Sequence, residues 1–164
     1  MLQGAPRRRW KDGGASLGRD RLQCVCVRIF LTGATGYVGS TVLDALLRGS
    51  HDVTALVRDP EKAARVSLRG VQSIVGDLSA PESYAHAVEG CDAIIHTAFE
   101  SSKRGPEVDR QALDVLLGAA IRHAAKGQPV SFVYTSGTWV LGDTSGQAAE
   151  DAAVRPTPLV EWRP

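Results

Sequence analysis

From Val25 onward the hydrophobic and polar positions alternate between two rhythms. Val25–Leu31 is a β-branched and apolar run of strand length. After Thr32–Gly39, the stretch Ser40–Arg48 places Val42, Leu43, Leu46 and Leu47 at helical spacing, and Gly49 supplies a stop. Val53–Val57 predicts a second strand, Pro60–Val66 a short helix, Val71–Val75 a third strand and Pro81–Glu89 another helix. A fourth strand falls in Asp92–Thr97, around Ala93-Ile94-Ile95. Glu107–Lys126 predicts the longest helix, with Leu113, Leu116, Leu117, Ala120 and Ile121 on one face, and Val130–Thr135 a fifth strand. Strands alternating with helices make βαβ units with right-handed crossovers. The predicted fold is α/β, a doubly wound parallel sheet of about five strands in the order 3-2-1-4-5.

The segment before this pattern has a different composition. Up to Gln23 it holds Arg7, Arg8, Arg9, Lys11, Arg19 and Arg21 against Asp12 and Asp20, so it carries +4 and the rest of the chain −3, within a net charge of +1. It contains Gly4, Gly13, Gly14 and Gly18 and has no amphipathic period, so residues 1–24 are expected to be a disordered basic extension or an upstream start, with 25–164 as the folded domain. No apolar stretch follows the arginines, which excludes a secretory signal, and the segment lacks the Ser-rich, acid-poor character of a transit peptide.

At 43% apolar and 23% charged residues the 164-residue chain is expected to fold as a single globular domain, with no charge excess to draw nucleic acid and no apolar run that spans a membrane. Cys24, Cys26 and Cys91 are odd in number, so reduced thiols and a cytoplasmic location are expected. Cys24 and Cys26 alternate with Val25 and Val27 and read as buried strand residues. No metal site is predicted: His51, His86, His96 and His123 lack ligand spacing and read as surface or hydrogen-bonded side chains.

The chemical signal is the glycine triplet Gly33, Gly36 and Gly39 between a predicted strand and a predicted helix. The first glycine permits a tight turn, the second lets a pyrophosphate approach the backbone, and the third lets helix and strand pack closely. Phosphates would sit at the helix N-terminus, where free N–H groups and the helix dipole favour negative charge. At the end of the second strand a carboxylate selects NAD and an arginine accommodates the extra phosphate of NADP. Both occur in Val57-Arg58-Asp59, and Arg58, nearer the strand tip, favours NADP over NAD. The competing reading is a solvated turn before Pro60.

These residues resemble the extended and atypical short-chain dehydrogenases/reductases, Rossmann-like proteins that include nucleotide-sugar epimerases, dehydratases and dihydroflavonol-type reductases. Thr32-Gly33-x-x-Gly36-x-x-Gly39 is similar to their nucleotide loop, and Leu56-Val57-Arg58-Asp59-Pro60 to the NADP-selecting turn of the reductases. Gly76-Asp77-Leu78 resembles the turn that meets the adenine, Ile95-His96-Thr97-Ala98 the strand end beside the nicotinamide ribose, and Tyr134–Gly142 the segment that bears a catalytic serine or threonine. The resemblance implies a cofactor site of Gly33, Thr35, Gly36, Tyr37, Val38, Gly39, Arg58, Asp77, Leu78, Thr97 and Ala98. It further implies an NAD(P)-dependent oxidoreductase or epimerase acting on an aldehyde, ketone or sugar-nucleotide small molecule.

Four departures stand against that pattern. The family's Tyr-x-x-x-Lys acid/base pair is missing: Tyr37, Tyr84 and Tyr134 are followed four residues later by Thr41, Val88 and Thr138. Aligning Glu150, Pro156 and Pro158 with the stretch before that pair puts Leu159 at the tyrosine and Arg163 at the lysine. Gly137 falls at the catalytic serine, leaving Ser136 and Thr138 as candidates, and Asp109 stands where extended members carry asparagine. A non-catalytic dinucleotide-binding or sensor module is therefore the alternative. The family's C-terminal substrate domain is expected to be absent, with the edge strand Val130–Tyr134 available for a homodimer.

Overall fold

The computed structural model of the chain describes residues 26–144, 151, 153–158 and 160–161. Among them lies one parallel sheet of β1 (Arg28–Thr32), β2 (Asp52–Val57), β3 (Gln72–Val75), β4 (Ala93–His96) and β5 (Ser131–Tyr134), in the order β3-β2-β1-β4-β5. The helices are α1 (Tyr37–Arg48), α2 (Pro60–Ser67), α3 (Ala85–Val88) and α4 (Gly105–Ala125). The expected architecture and strand order are found.

β1 is central, and four of its five residues, Ile29 to Thr32, are buried, as a strand covered on both faces requires. Its side chains alternate between two cores. Phe30 points into one formed with Leu56, Ile94, Tyr84, Val108, Ala112 and Leu116, on the side of α3 and α4. Leu31 points into the other, with Leu43, Val53, Ala55, Val57, Ala63 and Val66, on the side of α1 and α2. Full burial of side chains of this size stabilises the fold by about 1.5–3 kcal/mol each. Because α1 and α2 lie on one face and α3 and α4 on the other, the chain reverses direction across the sheet between β1 and β4. That switch point opens a crevice at the carboxyl ends of the strands.

Three expectations need correction. β1 starts at Arg28, because the ladder with β2 begins at the pair Arg28–Asp52; Cys26 lies outside it and is exposed rather than buried. Cys24 and the expected disordered extension 1–24 lie outside the described residues. The helix expected over Pro81–Glu89 is a 3-10 turn, Pro81–Ser83, followed by the four-residue α3. The chain leaves helical geometry at Tyr84 (φ −136°, ψ −13°), whose fully buried ring stacks on Phe30 at 6.3 Å. Burial pushes the Tyr84 phenol up to about 12. Finally, α1 begins at Tyr37 rather than Ser40, so Gly39 lies inside its first turn.

Candidate functional site

The site grows from the link between β1 and α1. Gly33 has φ +78°, and a Cβ there would lie 2.6 Å from Thr97 Oγ1. A Cβ on Gly39 would lie 2.0 Å from the Gly33 carbonyl oxygen, so both glycines are required by the packing of loop, helix and β4 end. Gly36 differs. Its N–H donates to Gly33 O at 2.9 Å, its backbone (φ −88°, ψ 174°) suits any residue, and a Cβ would meet only that carbonyl at 3.3 Å. The space beside Gly36 belongs to the crevice and not to the protein's own packing.

Gly36 is the N-cap of α1. The helix has no side-chain cap and no acidic residue in its first turn. Its first N–H groups, with no partner inside the helix, and the positive end of its dipole face a cavity of about 350 Å³. All eleven residues predicted for the cofactor line this cavity: Gly33 and Thr35 to Gly39 from the loop and α1, Arg58 from the end of β2, Asp77 and Leu78 from the end of β3, and Thr97 and Ala98 from the end of β4. Leu56, Phe99 and Glu100 line it too and were not predicted. Leu56 was readable as the penultimate residue of a strand that ends at the crevice, whereas no local signal marks Phe99.

The two residues after β2 have separate tasks. Arg58 lines the cavity and is exposed. Asp59 caps α2, its Oδ1 accepting the N–H groups of Glu61 at 2.8 Å and Lys62 at 3.3 Å. Across the cavity, Asp77 Oδ1 accepts the Ser79 hydroxyl at 2.7 Å and the Ser79 N–H at 2.8 Å. These bonds, with smaller pulls from Arg58 and Arg104, hold the Asp77 carboxyl below the ordinary carboxylate range. It is therefore ionised at neutral pH.

Thr97, Ala98 and Phe99 also line a second cavity of about 540 Å³, with Ser102, Lys103, Pro106, Thr135, Ser136, Gly137, Trp139 and Val160. Ser136 thus lies across this wall from the first cavity. Of the other catalytic candidate, Thr138, only the backbone is described, at the start of a 3-10 turn over Thr138–Leu141. Leu159 and Arg163 lie outside the described residues. No tyrosine among the described residues lines the second cavity: Tyr37 is exposed beside the first, Tyr84 is in the core, and the Tyr134 hydroxyl donates to Asp109 Oδ2 at 2.6 Å.

Beneath both cavities the strand ends carry buried polar groups. Thr32 Oγ1 lies 2.6 Å from His96 Nδ1, and His96 Nε2 lies 3.3 Å from Asp109 Oδ1. His96 fits the hydrogen-bonded role expected of it; its partners on β1 and α4 were not readable from spacing. Among the described residues no helix is long and apolar enough to cross a membrane, and no group of acidic, His and Cys side chains could hold a metal.

A family profile described as NAD(P)H-binding matches residues 33–155. The chain is 34% identical over 118 residues to 4-hydroxy-2-methyl-3-oxo-4-farnesyl-3,4-dihydroquinoline-1-oxide ketoreductase of Stigmatella aurantiaca, covering 71% of this chain and 35% of that protein. It is 35% identical over 123 residues to vestitone reductase of Medicago sativa, covering 66% and 37%. Among solved structures, a dTDP-glucose 4,6-dehydratase double mutant from Streptomyces venezuelae with NAD bound superposes with a TM-score of 0.62 at 25% identity, covering 79% of this chain and 45% of that one. The chain spans less than half the length of the curated relatives it matches.

Proposed function

The chain belongs to the NAD(P)H-binding family of Rossmann domains, with short-chain dehydrogenase/reductase and epimerase relatives, and we propose that it binds NADP(H) in preference to NAD(H) and serves the reduction of a small-molecule carbonyl. The observation that carries the preference is the division of labour after β2. Arg58 lines the cavity with its guanidinium free to fork onto a phosphate, whereas the Asp59 carboxylate is committed to capping α2. NAD selection needs a carboxylate facing the ribose hydroxyls, and at this strand end none faces the cavity.

The groups present fit the cofactor. The uncapped start of α1 and the open space beside Gly36 suit a pyrophosphate, and Arg58 suits a 2′-phosphate. Asp77 and Leu78 would meet the adenine; Thr97 and Ala98 would border the ribose next to the nicotinamide. Bound there, the nicotinamide supplies a hydride. This chain's residues bind and orient it, and the apolar side chains of Phe99, Pro106 and Trp139 line the second cavity, where a carbonyl compound would lie. Ser136 is the side chain we place nearest a proton-transfer role. A purely binding module is the second reading, favoured by the engagement of Tyr134 with Asp109.

Titration of the purified chain with NADPH and NADH, followed by quenching of tryptophan fluorescence, tests the reading. Saturable binding with NADPH tighter is the expected result. A folded chain that binds neither overturns it, and tighter NADH overturns the preference. Oxidation of bound NADPH by aromatic ketones separates the reductase from the binding module.

A further inference from the structure

We propose that Asp109 is a positioning residue for this site, one that touches neither cavity and fixes the wall between them. Its two carboxylate oxygens hold side chains from two strands, β4 through His96 and β5 through Tyr134. Asp109 is 2% exposed and both His96 and Thr32 are 0% exposed, so the bonds form away from water, where an unmet polar group is costly and a met one is directional. Apolar residues would fill the same space without fixing a direction.

The restraint can be followed outward from the carboxylate. His96 passes it to Thr32, the last residue of β1, through the 2.6 Å contact between Nδ1 and Oγ1. Thr32 holds the cavity wall by three bonds. Its carbonyl accepts the Thr97 N–H at 3.3 Å and the Thr97 hydroxyl at 2.7 Å, and its own hydroxyl oxygen accepts the Ala98 N–H at 3.3 Å. On the other branch, Tyr134 stacks on the His96 ring with centroids 5.7 Å apart and leads directly into Thr135, Ser136 and Gly137 of the second cavity. One side chain on α4 therefore sets the spacing of the segments that face both cavities.

Hydrogen-bond chemistry fixes the protons. A carboxylate only accepts, so His96 Nε2 carries the hydrogen that points at Asp109. With that one hydrogen on the ring, Nδ1 presents its lone pair to Thr32. The Thr32 hydroxyl donates to it and keeps a lone pair for the Ala98 N–H. In Asp109→Asn the amide oxygen accepts from only one of the two partners: with the oxygen on Tyr134 the amide N–H faces His96, and with the oxygen on His96 it faces the Tyr134 hydroxyl. Either way one of the two restraints on the strand ends is weakened.

The functional consequence rests on the NADP(H) reading; the proton arrangement does not. The test combines ring ¹⁵N–¹H spectra, with the His96 signals assigned by their loss in His96→Gln, and binding of two ligands: NADPH, and 2′,5′-ADP, which carries only the adenine-side groups. The wild type is expected to show the Nε2–H tautomer at His96. Asp109→Asn is expected to bind NADPH about three- to tenfold more weakly, with 2′,5′-ADP unchanged. Asp114→Asn, the same charge change on the exposed face of α4, should alter neither. Tyr134→Phe cuts only the β5 branch, so it should weaken NADPH by less and leave the tautomer in place. That variant decides the matter if Asp109→Asn does not fold. An Nδ1–H tautomer in the wild type, or equal weakening of NADPH and 2′,5′-ADP in the folded variants, overturns the proposal. If the wild type binds neither ligand the NADP(H) reading fails, while the wild-type tautomer still decides whether Asp109 accepts from His96.

Discussion

The first two helices of the chain begin in opposite ways. α2 follows Asp59, whose carboxylate accepts two of the orphan N–H groups, with Pro60 in its first turn and Glu61 against the positive end of its dipole. α1 follows Gly36, with no capping side chain and no acidic residue in the first turn. Each helix leaves the same backbone groups unmet, and the two sequences dispose of them differently. In α2 the protein satisfies itself. In α1 the donors are left for something the chain does not supply, at a helix start that opens on a cavity lined by a strand-end arginine. The missing side-chain cap costs only about a few tenths of a kcal/mol with glycine at that position, and together with the cavity it adds to what the glycines alone indicate.

Exchanging the two designs is the sharpest way to break this contrast. Gly36→Asp gives α1 the cap it lacks and sets a carboxylate where phosphate oxygens would lie. NADPH binding should fall by at least about a hundredfold, since like charges held together cost several kcal/mol, while the thermal midpoint holds or rises. Retained binding in the fluorescence titration would remove the loop from its role. Arg58→Ala should weaken NADPH about ten- to a hundredfold, the range of a charge-assisted hydrogen bond of about 1.5–3 kcal/mol, and change NADH about twofold or less. Equal losses for the two cofactors would sink the assignment of Arg58.

The converse change belongs to α2. Asp59→Ala should lower stability by about 1 kcal/mol in denaturant melts and leave NADPH affinity within about twofold. A loss of affinity matching that of Arg58→Ala would erase the separation of tasks after β2. At the far end of the sheet, Asp92 binds the guanidinium of Arg28 at 2.8 Å and 3.1 Å and is held down to about 2. Its folded-state pKa lies below the ordinary 3.8, so its contribution to stability is present above about pH 4 and is lost as pH falls through 2. Asp92→Asn should flatten only that part of a plot of thermal midpoint against pH. Both side chains are about half exposed, so this is the weakest of the effects.

The sequence made the sheet legible because each strand is a local run of apolar residues and each helix has a local period. It made the cofactor cavity legible for a related reason. Every predicted residue follows a strand end, and in a parallel sheet all strand ends of one sense gather at one edge. The parts that escaped depend on distance. Thr32, His96, Asp109 and Tyr134 sit on four elements, and no spacing along the chain indicates that they meet. Tyr84 breaks a helix that its neighbours would continue because its ring is buried against Phe30, a residue of another strand. Cys26 looked buried by alternation, yet the register of β2 decides where the ladder starts.

The wall of Thr97, Ala98 and Phe99 belongs to both cavities. Phe99 is 43% exposed, and its ring is the most exposed part of that partition. Whatever settles on one side and pins the ring alters the surface met from the other. By thermodynamic reciprocity the change must be equal in both directions: if cofactor tightens a second ligand by some factor, that ligand tightens the cofactor by the same factor. The partition thereby couples the two occupancies, and Phe99→Ala should uncouple them without emptying either.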